Sequence, residues 1–80
     1  MKFLKDLKYK GVIGKIFTYK SKLVKGTTVY EMYIKTKKKG GFLIAVEDSE
    51  DTCKFLLHEE VNGEPEALVK GDWDPIEITQ

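Results

Sequence analysis

Apolar residues recur at every second position through most of this chain, the spacing of half-buried strands. Between residues 12 and 19, Ile13, Phe17 and Tyr19 share one parity, with Val12 and Ile16 on the other. Between 27 and 36, Tyr30, Met32 and Ile34 face one way, while Val29, Glu31, Tyr33 and Lys35 face the other. Residues 42–47 are nearly all apolar and read as a central strand. Residues 52–61 alternate most clearly: Cys53, Phe55, Leu57 and Val61 oppose Lys54, His58 and Glu60, with Leu56 on the latter face. Asn62-Gly63 then reads as a two-residue hairpin turn. The returning strand starts near Glu66, after Pro65, and Ile76 and Ile78 suit a last short strand. Only the start differs. Phe3, Leu4 and Leu7 have helical spacing, so residues 2–8 read as a short N-terminal helix in preference to a strand.

These elements predict a mainly β, single small domain over residues 1–80. Its five- or six-stranded antiparallel meander would curl into an SH3-like or OB-like barrel or half-barrel. Eighty residues suffice for one modest core, and 41% hydrophobic residues exclude a disordered chain. No apolar run reaches the roughly 20 residues of a membrane span, and charges interrupt the first ten residues where a signal peptide would be apolar. The expected setting is cytoplasmic, with no membrane partner.

Charge adds a second pattern. Residues 1–40 hold 12 lysines against Asp6 and Glu31, a balance of +10, and residues 41–80 carry a balance of −9. The sign changes at Gly40-Gly41, which reads as a hairpin turn next to Lys37, Lys38 and Lys39. In an up-and-down meander the acidic turn at 48–51 falls at the other end, giving one basic and one acidic end. No arginine is present, so bidentate readout of bases is not expected.

Catalytic and metal chemistry find little footing. A lone cysteine excludes an internal disulfide or a multi-cysteine zinc site. Cys53 has core parity and reads as a buried thiol, and His58 as a surface residue paired with Glu60. The acids at 48–51 lack the glycine and bidentate glutamate of a calcium loop. Gly11-Val-Ile-Gly14 matches a GxxG nucleic-acid loop, but strand follows it, so the glycines read as a bulge or bend. No enzyme, cofactor or metal site is expected.

Two binding functions remain. One is a small barrel that holds RNA or single-stranded DNA with little sequence preference, through Lys20, Lys22, Lys25, Lys35, Lys37, Lys38 and Lys39 around an exposed, stacking Tyr33. The other is a protein inhibitor or regulator whose acidic residues Glu47, Asp48, Glu50, Asp51, Glu59 and Glu60 engage a basic groove on a target. The same charge asymmetry permits a homodimer. Convergence of the two lysine groups on one face would favour nucleic acid.

Overall fold

The computed structural model describes residues 2–37 and 40–73. Four antiparallel strands, β1 (Lys2–Tyr9), β2 (Val12–Lys20), β3 (Thr28–Thr36) and β4 (Gly40–Glu47), form one sheet in sequence order, and helix α1 (Glu50–Gly63) follows. The helix packs across one face. β1 and β4 are sheet edges and do not pair, so the sheet is not a closed barrel.

The meander follows from local chemistry. Tyr9 pairs with Val12, and the intervening Lys10 and Gly11 both have positive φ, 51° and 81°, the requirement of the tight turn that matches strand twist. Gly11 therefore turns the chain between two strands, where the sequence suggested a bulge or bend within one. Gly14 does something else. Pairing with Leu7 inside β2, it leaves a hollow under the helix: a Cβ there would lie 2.7 Å from Met32 Sδ and 3.5 Å from Leu57 Cδ1. The longer link between β2 and β3 is closed by the Ser21 N–H bond to the Thr27 carbonyl, while Ser21 Oγ accepts from the amides of Leu23 and Val24.

Two of the expected elements change type. Residues 2–8 are strand, not helix. A bulge between Phe3 and Lys5 inserts Leu4, so Phe3 lies opposite Phe17 on one face and Leu7 opposite Gly14 on the other. That break in alternation made the segment look helical. Residues 52–61 are helix, not strand. Cys53, Leu57 and Val61, spaced by four, form the buried stripe, and Phe55 points outward. Ser49 caps the helix by accepting from the Thr52 amide at 3.2 Å, and Glu50 and Asp51 occupy the first turn, where the helix dipole favours acids. Asn62-Gly63 ends the helix rather than turning a hairpin.

The core on the helix side contains Val12, Ile16, Met32, Ile34, Cys53, Leu57, Val61 and Leu68. After the helix the chain makes two isolated bridges, Leu68 to Thr36 and Lys70 to Val12, so it lies against both the end of β3 and the start of β2. This contact replaces the strand expected from Glu66. The chain then passes to the other side of the sheet, where Trp73 packs with Ile13, Tyr33 and Phe17. The expected last strand at Ile76 and Ile78 lies outside the described residues.

The helix assignment makes a sharp prediction. In a strand, Phe55 and Leu57 would share the core face; on α1 only Leu57 does. Leu57→Ala should cost about 2–5 kcal/mol in urea unfolding, and Phe55→Ala within about 0.5 kcal/mol of zero. Equal large losses would restore the strand.

Candidate interaction surfaces

Three surfaces remain once the helix has covered its face. The first is the opposite face of the sheet. Cross-strand register places Phe3, Phe17, Glu31 and Val46 in one row and Lys15, Tyr33 and Leu43 in the next, with Tyr19 and Val29 beyond. At its centre Glu31 is only 6% exposed, and its carboxylate accepts hydrogen bonds from the Tyr19 hydroxyl at 2.9 Å and the Tyr33 hydroxyl at 3.1 Å. Lys15 beside it is held by Asp6 at 3.2 Å and lies over the rings of Phe3 and Trp73. The two central charges of this face, Glu31 and Lys15, are thus partnered within it, while Lys8 and Lys35 lie towards one end of the same face. At its rims Phe3, Leu43 and Val46 are exposed.

The tyrosines carry the electrostatic consequence. Burial first, then the Glu31 charge and its hydrogen bond, push the Tyr33 hydroxyl up to about 12. Its hydrogen bond to Glu31, before burial and charge, raises Tyr19. Tyr33 is 3% exposed. It is therefore a structural ring and not the exposed stacking platform expected from its parity.

The second surface is the outer side of α1. Phe55 is 61% exposed, with exposed Asp51 and Glu59 one turn before and after it on the same stripe. Glu60 is also exposed, and the last turn contains no basic residue. Glu50 differs, since it pairs with Lys5 of β1 at 2.6 Å. Glu47 is half-buried at the end of β4, and Asp48 is exposed just after it. Cys53 lies on the inward side, fully buried, its thiol pushed up to about 11 by burial and then by Glu47 and Glu50. The buried-thiol reading therefore holds. His58 stacks on Tyr9, ring centroids 3.8 Å apart, in place of the expected pairing with Glu60. Tyr9 and Lys10 both donate to Asn62 Oδ1, at 3.3 and 3.1 Å, fastening the helix end to the first turn.

The third surface is lysine-rich, and it is divided. Lys20 donates to Thr28 Oγ1 at 3.0 Å, and Lys22 and Lys25 are exposed in the link after it. Lys37 is exposed in the turn after β3, and Lys35 is half-buried; Lys38 and Lys39 lie outside the described residues. Antiparallel order puts the Lys20–Lys25 link and the Lys37 turn at opposite ends of the sheet. Acids accompany each: Asp48 and Asp51 lie at the first end, Glu64 and Glu66 at the second. Lys37 and the acids at 48–51 do fall at opposite ends, as expected, but among the described residues neither end has a single sign, because the returning helix carries acids back along the sheet.

An open cleft of about 390 Å³ lies between the Lys22-Leu23 link and Tyr19, Val29 and Val46. Another of about 400 Å³ is lined by Lys37, Pro65, Glu66, Leu68 and Lys70. Among the described residues no group of three or more His, Cys, Asp or Glu side chains could hold a metal ion, and no helix is long and apolar enough to cross a membrane. Comparison with protein-family models, curated proteins and solved structures gives no match.

The sequence reading missed the rims of the open face and Phe55. For Phe55 the missing signal was the cap: Ser49 followed by two acids marks a helix start, which turns Phe55 outward.

The Tyr19–Glu31–Tyr33 network should be visible in alkaline titration. The folded state holds the Tyr33 proton more tightly than the unfolded state does. Its contribution to stability is therefore complete below the usual value of 10.0 and is lost as pH rises toward about 12. Glu31→Gln removes the charge, so both tyrosines should ionise at lower pH, read from absorbance at the phenolate band. An unchanged titration would contradict the network.

Proposed function

We propose that this protein is a non-enzymatic protein-binding module whose acidic helix engages a basic surface on another protein. The observation that carries the reading is the Asp51–Phe55–Glu59 stripe. An exposed aromatic ring rimmed by charge has the form of an interface anchor: the ring fills a pocket, and the acids orient the partner. Helix stability does not explain this arrangement. Glu59 and Glu60 lie in the last two turns, where the dipole favours cations, and Phe55 belongs to neither core cluster.

Nucleic-acid binding has less support. Its lysines are split between two ends with acids near each, and the ring chosen for stacking is buried. A continuous basic track for a phosphate backbone is not formed by the described residues. Neither reading requires a cofactor.

The test uses affinity capture from cell extract, with the wild type compared with Phe55→Ser and with Glu59→Lys/Glu60→Lys. A basic protein should be retained by the wild type, released by added salt and lost from both variants. The double variant should at the same time be more stable, by about 0.3–1 kcal/mol per site, because lysines there suit the dipole. Loss of binding with a gain of stability separates function from folding. A labelled single-stranded oligonucleotide should not bind at low salt. Binding abolished by Lys20→Glu/Lys22→Glu/Lys25→Glu would replace this reading with the nucleic-acid one.

A further inference from the structure

Among the described residues the three most exposed large apolar side chains are Leu23, at 96%, Phe55, at 61%, and Val24, at 60%. They fall in two places of opposite charge. Leu23 and Val24 sit between the exposed Lys22 and Lys25 in the link from β2 to β3. That link is held in one shape. Ser21 Oγ accepts from the amides of Leu23 and Val24, the Thr27 N–H bonds to the Val24 carbonyl at 3.3 Å, and Gly26 takes a φ of 84°. Among the described residues neither Lys22 nor Lys25 enters an ion pair, although Asp48 is exposed at the same end. Phe55 has the reverse surroundings. On the exposed side of α1, Lys54 stands against Asp51, Glu59 and Glu60.

Each place therefore has what the other lacks, an apolar contact with the opposite charge around it. They cannot meet within one molecule. Lys22 and Leu23 line the cleft with Tyr19, Val29 and Val46, on the helix-free side of the sheet, whereas Phe55 points away from the sheet on the helix side. A second copy brings them together. Because the contact joins two different patches, a pair keeps one free link and one free helix, and further copies can add head to tail. Overall repulsion does not oppose it, since the net charge is only +1. A short link against one helix stripe is a small footprint, so the contact is weak and reversible.

We infer that the Lys22–Lys25 link of one molecule docks on the Asp51–Phe55–Glu59 stripe of a second copy. Leu23 and Val24 meet the Phe55 ring, and the lysines face the acids beside it. The inference rests on the reading of that stripe as an interface anchor and names a basic surface of the same chain that fits it. Self-association then covers the helix at high concentration and yields to any basic partner that binds it more tightly.

The experiment is sedimentation velocity on the full chain from low micromolar to near-millimolar concentration, at low and high salt. It compares the wild type, Leu23→Ser, Phe55→Ser and an equimolar mixture of the two variants. The wild type should grow in mass with concentration and return toward monomer in high salt, which screens the charges. Each variant alone should raise the dissociation constant about tenfold or more. The mixture should recover association and stop at a dimer, because the intact link of Phe55→Ser docks on the intact helix of Leu23→Ser. Both side chains are exposed and both substitutions keep the net charge, so each variant should retain the wild-type circular dichroism. If either misfolds, methyl NMR of the wild type on dilution replaces the mixture, with shifts at Leu23 and Val24 and none at Leu57 or Val61. A mixture that stays monomeric overturns the proposal, as does self-association indifferent to Leu23→Ser. A wild type that is monomeric at the highest concentration but retains a basic protein from extract overturns the self-contact alone and leaves the helix reading standing.

Discussion

Leu57 and Met32 meet over Gly14, and the molecule is organised around that contact. A sheet of four strands has two faces to cover, but the described chain supplies one helix. Where that helix sits decides which side becomes core and which becomes surface. The missing Cβ of Gly14 lets Met32 and Leu57 settle against β2, and Cys53 and Val61 extend the seam by one turn on each side. Burial of a side chain such as Leu57 contributes about 1.5–3 kcal/mol, a large share of what so small a domain can spare.

Two consequences follow on opposite sides. On the outside of α1, the stripe that does not touch the sheet carries Phe55 between two acids. On the far side of the sheet, the buried charge is handled by neighbours: Tyr19 and Tyr33 satisfy Glu31, and Asp6 satisfies Lys15. A face prepared in this way is apolar without being charge-free. The Trp73 crossing locks one corner of it, because Lys70 and Leu68 hold the chain to β2 and β3 just before the ring. The same return path mixes the charges at the two ends, so that the halves of the sequence do not become halves of the surface.

Much of the sheet was legible in the chain. The alternation correctly separated Val12 and Ile16 from Ile13 in β2, and Met32 and Ile34 from Glu31 and Tyr33 in β3, since an uninterrupted strand keeps parity and faces locked together. β1 was hidden because one inserted residue, Leu4, reverses that parity midway. The helix was hidden for a subtler reason. Cys53, Leu57 and Val61 satisfy a period of two and a period of four equally well, and Phe55 tipped the balance toward strand. Ser49 with its two acids was the deciding local signal. The candidate surfaces suffered from both errors: parity in β3 named the face of Tyr33 but could not say that Trp73 and Phe17 would bury it.

The central claim is that α1 covers the Ile16–Met32–Ile34 face and leaves Leu43 and Val46, on the rim of the other face, exposed. Methyl NMR of dilute protein with a paramagnetic probe dissolved in the solvent tests it most directly. The account predicts that signals of Leu57, Val61, Ile16 and Ile34 persist while those of Val46, Leu43 and Leu23 broaden. Broadening of Leu57 and Val61 with protection of Val46 would contradict it, because the helix would then lie elsewhere.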